Sequence, residues 1–131
     1  MNYTFIYEPN GFIVSMIIDP IQPVELEPSS PFLVLLLESE DVFTPDTNYI
    51  DAGVVRQTQD FPAITQAVVN ANGEYTITLT NIPAETSVTW SDGFISEEND
   101  GTLECVVAFP DEYRFLLENV RHFTREVVVN V

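Results

Sequence analysis

Few residues in this chain have the types and spacing to do chemistry. The most concentrated set is Ser96 to Gly101, "SEENDG", where Glu97, Glu98, Asn99 and Asp100 offer hard oxygen ligands and Gly101 permits a tight loop. A bound calcium ion is the chemistry such a loop suggests. The stretch lacks the D-x-[DN]-x-[DN]-G spacing and distal glutamate of an EF-hand, so an acidic hairpin loop is its plainer reading. Among 21 acidic residues a carboxylate pair for glycoside hydrolysis can be assembled on paper. That chemistry needs two positioned carboxylates in a cleft with sugar-binding platforms, and a chain of 131 residues split into two small parts leaves little room for one. Trp90 and Phe94 are the aromatic candidates for a sugar platform. Trp90 alternates with Val88, which points instead to core packing.

The nucleophiles and bases are isolated. Cys105 sits on the apolar side of a predicted strand with no neighbouring base or cation to lower its pKa, and reads as a small buried hydrophobe. His122, the single histidine, lies between Arg121 and Phe123 and reads as a surface residue at a strand end. No G-x-S-x-G, phosphate loop or G-x-G-x-x-G is present. The expectation is a protein without catalysis, resident metal or cofactor.

The cations are four arginines, Arg56, Arg114, Arg121 and Arg125, with no lysine, and the formal net charge is -17. Nucleic-acid binding depends on neutralising phosphates with Lys and Arg, and anionic membrane surfaces repel such a chain. Neither partner is expected. Arg114, Arg121 and Arg125 fall in the last two predicted strands, where either cross-strand pairs with acids or anchors at a subunit interface account for them. "NYTFIYEPNG" after Met1 lacks the basic and long apolar regions of a secretion signal. With a single cysteine ruling out an internal disulfide, a reducing cytoplasm is the expected place of synthesis.

The elements that must hold these residues read as strands. "YTFIY" and "FIVSMII" flank Glu8-Pro9-Asn10-Gly11, a turn in which proline presets φ and Asn-Gly tolerates positive φ. Pro20, Pro23, Pro28 and Pro31 deny the next segment a ladder or a helix. Phe32 to Glu38, "FLVLLLE", does not alternate and reads as a strand buried on both faces, with another protein as one possible cover. Left flat and uncovered it would aggregate. Phe32, Val34 and Leu36 are therefore interface candidates, and Tyr49 and Arg56 join them from "TNYIDAGVVRQTQDFPAI", a stretch that reads as a joint. Arg56 there reads as a partner for a nearby acid or a contact to a neighbouring subunit.

Downstream, "EYTITLT", "TSVTW", "TLECVVAF", "PDEYRFLLE" and "FTREVVVNV" alternate with turn signals between them. Five or six such strands predict a small β-sandwich. "FPAITQAVVNANG" fits strand or short helix equally. The expected organisation is mostly β: an N-terminal antiparallel β region over residues 1–58, then an immunoglobulin-like β-sandwich over 59–131.

Three pieces, in order, resemble small phage virion proteins of the tail or tail-fibre accessory type. They are "YTFIYEPNGFIVSMI", similar to an aromatic-rich strand and glycine turn; "NYIDAGVVRQTQDFPAI", similar to a Y-V-D-x-G-x-V-x-R-P unit; and "YTITLTNIPAETSVTWSDG" with "PDEYRFLLE", similar to a C-terminal immunoglobulin-like module. Gln57 stands where the second unit has proline, and Asp111-Glu112 where the module's P-G-x-Y turn has glycine. The resemblance implies a non-enzymatic structural protein of the virion, made in the host cytoplasm. Its partners would be tail, fibre or capsid subunits, with multiple copies per particle. Other readings are a capsid decoration protein, a carbohydrate- or cation-binding module at the host surface, and a cytoplasmic tail-assembly chaperone.

Overall fold

The computed structural model describes residues 1–91, 93 and 95–131. Asp92 and Phe94 lie outside the described residues, and with Phe94 one of the two aromatic platform candidates. The described chain is mostly β, built of antiparallel sheets, and divides into two compact units, Met1–Thr58 and Gln59–Val131.

In the first unit β1 (Asn2–Tyr7) is the central strand of a sheet ordered β2-β1-β3, with β2 (Ile13–Ile18) and β3 (Leu33–Glu38) at its edges. A second small sheet is the hairpin of β4 (Asn48–Asp51) and β5 (Val54–Gln57). One sheet face carries the core: Tyr3, Phe5 and Ile13 with Ile50 of β4, and Met16, Leu35, Leu37, Phe43 and Val55 packed around them. Tyr3 and Phe5 stack at 5.6 Å, and Phe43 meets Tyr3 edge-on at 5.2 Å. Such pairs add roughly 0.5–1.5 kcal/mol beyond their area. The Tyr3 hydroxyl donates to the Asp41 carbonyl at 2.6 Å, tying down the loop that brings Phe43 in.

The β1–β2 turn does more than reverse the chain. Gly11 donates to the Glu8 carbonyl at 2.8 Å, with φ +97°, and its own carbonyl accepts from the Ile50 amide at 3.0 Å. A β-carbon there would stand 2.1 Å from the Ile50 carbonyl oxygen. Glycine thus lets the backbones of two hairpins touch.

β3 corrects the sequence reading. It is not buried on both faces: Leu35 and Leu37 pack on the core, while Val34 and Leu36 are exposed, Leu36 to 72%. A three-stranded sheet with one core supplies only one cover.

The second unit pairs β10-β7-β6 against β12-β11-β8-β9. The strands are β6 (Thr65–Ala71), β7 (Glu74–Thr80), β8 (Thr86–Trp90), β9 (Ile95–Glu98), β10 (Thr102–Val107), β11 (Glu112–Asn119) and β12 (His122–Asn130). Among the described residues that is seven strands, more than the five or six expected. The undecided "FPAITQAVVNANG" forms β6, turning into β7 through Asn72-Gly73 with φ of 55° and 79°. Such a pair of positive φ values suits a two-residue hairpin. Ile77, Leu79, Leu103 and Cys105 from one sheet and Val88, Phe115, Leu117, Val127 and Val129 from the other make one core. Alternation in the sequence places them there, because period-2 spacing puts every second side chain on the same face.

Two features make this sandwich compatible with an immunoglobulin-like one. Trp90 of β8 is half-buried against Phe115, ring centres 5.8 Å apart and edge-on. Near the start of β11, the Tyr113 hydroxyl donates back to the Phe109 carbonyl at 2.7 Å, as in a tyrosine corner. Desolvation, then the Asp111 carboxylate and Cys105, push the Tyr113 phenol above its ordinary 10.0. A raised pKa means that the fold favours the protonated form. Its contribution is intact below pH 10 and is lost as pH rises through the raised value. Tyr113→Phe should therefore lower the urea midpoint at about pH 8 and flatten the further loss above about pH 10. An unchanged alkaline loss in the variant would remove Tyr113 from that account.

Candidate interaction surface

The first unit's sheet has a second face, away from its core. Register brings Leu36 beside Thr4 and Thr4 beside Ile17, and in the next row Val34 beside Ile6 and Ile6 beside Ser15. Four of these six side chains are aliphatic. Val34 and Leu36 are exposed, Ile6 and Ile17 half-buried, and Thr4 is enclosed between its neighbours. Val34 and Leu36 are interface candidates on the sequence alone; Ile6 and Ile17 join them only through the register. The signal was available: "YTFIY" and "FIVSMII" carry apolar residues at both parities, which one-sided burial does not require. Phe32 precedes β3, half-buried, its amide held by the Ser30 hydroxyl at 3.2 Å.

Tyr49 and Arg56 face each other across the β4–β5 hairpin. The Arg56 Nε donates to Asp51 Oδ2 at 3.0 Å, with both side chains partly exposed. That is the local acid partner the sequence suggested. An exposed pair of this kind contributes at most about 1 kcal/mol.

In the second unit Arg114 is clamped on the outward face of β11. It donates to Glu112 at 2.8 Å and to Glu126 of β12 at 2.6 Å. Arg121 is not in a strand as expected; it sits in the two-residue turn joining β11 to β12. Asn119 organises that turn. Its side-chain oxygen accepts from the Arg121 amide at 2.9 Å, and its amide group reaches the Ala84 carbonyl and the buried Thr86 hydroxyl, each at 3.0 Å. Arg114 and Arg121 therefore do not form one cluster on a strand face. Arg125 reaches the Pro62 carbonyl at 3.4 Å.

The acidic stretch is also corrected. Residues 95–98 are not a loop but β9, paired to β8 with Ser87 opposite Glu97 and Thr86 opposite Glu98. Consecutive strand residues point to opposite faces, so Glu97 and Glu98 diverge. Asp100 lies beyond the strand, its carboxylate accepting from the Thr102 amide at 3.1 Å. Among the described residues no three His, Cys, Asp or Glu side chains gather as a metal-holding group. Cys105 is buried in the core. His122 stacks on Phe61 at 4.9 Å with Nδ1 3.1 Å from the Asp60 carbonyl, a packing role for the one imidazole. Trp90 points its indole N–H at the Ser96 hydroxyl, 3.3 Å away. No described helix is long and apolar enough to cross a membrane.

The geometry thus gathers apolar side chains on an open sheet face and disperses the polar ones that could do chemistry. No protein-family model matches the chain, and no curated protein and no solved structure is significantly similar to it.

Proposed function

We propose that this chain is a non-enzymatic structural protein of a bacteriophage particle, a tail or tail-fibre accessory that docks on a larger particle protein through residues 1–58. The observation that carries the docking half of this reading is the aliphatic outer face of β1, β2 and β3, centred on Val34 and Leu36. Contiguous exposed apolar side chains mark interaction sites more often than free surface, and an exposed edge strand beside them offers backbone groups for pairing. The particle comes from the resemblance of the three sequence stretches. The immunoglobulin-like reading of the second unit, supported by its two-sheet core and the Tyr113 corner, gives the accessory a body to project.

Two measurements test this. A mass-spectrometric count of purified particles of the encoding virus should find the chain in a fixed ratio to the tail proteins; its absence from mature particles would leave the assembly-chaperone reading in its place. Leu36→Glu alters a side chain that is 72% exposed. It should leave the fold intact and reduce incorporation about tenfold or more, the effect of losing a buried interface anchor. Normal incorporation of that variant would move the docking site elsewhere.

A further inference from the structure

The second unit leaves one sheet edge without the usual protection. Edge strands are normally blunted by charge, proline or a bulge, because their free N–H and C=O groups recruit other strands. Of the edge strands in the two sheets, β9 carries Glu97 and Glu98, β10 carries Glu104, and β12 carries Arg125 and Glu126. β12 is further covered at its start by Gln59, which bridges to His122. β6, "TQAVVNA", carries no charge and no proline, pairs with β7 in unbroken register, and is exposed at all seven positions.

The charge pattern identifies what the edge can accept. Acids recur along the whole chain, yet residues 61–73 contain none and no arginine, the longest charge-free stretch in the sequence. A basic partner would be drawn to acids and would gain nothing from their removal here. A second copy is different. Two chains of net charge -17 repel, and they can make close backbone contact only where carboxylates are missing from both. β6 is such a place, and antiparallel self-pairing about Val68 sets Thr65 against Ala71, Gln66 against Asn70 and Ala67 against Val69, every pair uncharged. Val69, 60% exposed, and Val68, 40% exposed, then gain apolar neighbours across the seam.

We propose that β6 is a homotypic contact, pairing antiparallel with β6 of a second copy to join two β10-β7-β6 sheets into one. This rests on the second unit alone and does not depend on the docking role of residues 1–58. A single pair of short strands buries less than the 1,200–2,000 Å² or so of stable complexes. The contact is therefore weak and concentration-dependent, and salt strengthens it by screening the mutual repulsion.

The test is sedimentation equilibrium of the full chain at about 0.5 M salt, where the screening length falls to a few ångströms, up to several hundred micromolar protein. Growth toward twice 14.8 kDa is expected, with slower amide exchange in residues 65–71 as concentration rises. Val69→Lys places like charges along the seam while lowering the net charge, and should weaken association about tenfold or more. Val106→Lys makes the same charge change on exposed β10 and should leave association unchanged or slightly stronger. A wild type that stays monomeric throughout overturns the proposal. So does a dimer that Val69→Lys does not weaken, or one that strengthens on dilution of salt.

Discussion

Gly11→Ala should break the first unit apart. A β-carbon 2.1 Å from the Ile50 carbonyl oxygen lies far inside contact distance, and the atom it meets is backbone, which cannot rotate aside. The φ of +97° adds a conformational penalty for any residue with a side chain. Relief requires the β4–β5 hairpin to withdraw, losing the Ile50 amide bond to Gly11 and uncovering Ile50, one of four fully buried apolar residues in that core. The expected cost is about 3–5 kcal/mol, a large part of the stability of a small domain. Hydrogen exchange resolved by peptide should show lost protection in residues 2–18 and 48–57. Gly53→Ala is the control: its φ is +78° but nothing lies within 4 Å of the added carbon, so only the backbone cost of about 1–2 kcal/mol remains. Equal effects of the two substitutions would mean that the close approach of Gly11 to Ile50 does not matter.

Phe115→Ala should have a comparable effect on the second unit. Phe115 is 2% exposed and stands between Trp90 on β8 and Val127 on β12 in the ladder. It is part of the core that the two sheets share, so its removal leaves a cavity that collapse of one strand cannot fill. Truncations of this kind cost about 3–5 kcal/mol. Trp90, the only tryptophan, packs edge-on against the lost ring, so its fluorescence reports both the local change and the unfolding midpoint. Leu116→Ala, one residue along and pointing outward at 36% exposed, should cost about 1 kcal/mol or less. A Phe115→Ala midpoint close to that of Leu116→Ala would mean that the two sheets do not share a core at this point.

What was legible in the sequence follows from which interactions are local. The β1–β2 hairpin could be read because Pro9, Asn10 and Gly11 encode their own turn, and β7, β8, β10, β11 and β12 because alternation reports a single buried face. "FLVLLLE" reads as buried on both faces because apolarity tells that a strand has two adhesive faces, not how many covers its own chain supplies. The "SEENDG" stretch reads as a loop because acids are poor strand formers. β9 is nevertheless held by its register to β8 at a sheet edge, where charge is tolerated and even useful. The Gly11–Ile50 contact joins residues far apart in sequence, and no local pattern encodes it. The outer-face row of Ile6, Ile17, Val34 and Leu36 is likewise assembled by register, although each of its strands announced two-sided apolarity.

The turn that starts β7 carries a chemical consequence of its own. Asn72-Gly73 is exposed, with open space around the glycine. Asparagine followed by glycine is prone to deamidation, because the unhindered glycine nitrogen can attack the side-chain carbonyl and expel ammonia. Asn10-Gly11 has the same pair, but there the glycine nitrogen is engaged with Glu8 and the glycine is buried. Ageing would thus act first at Asn72, turning an amide into a carboxylate at the end of β6, an edge that carries no charge. Old molecules would differ from new ones by a single dalton and one negative charge, placed where two copies meet.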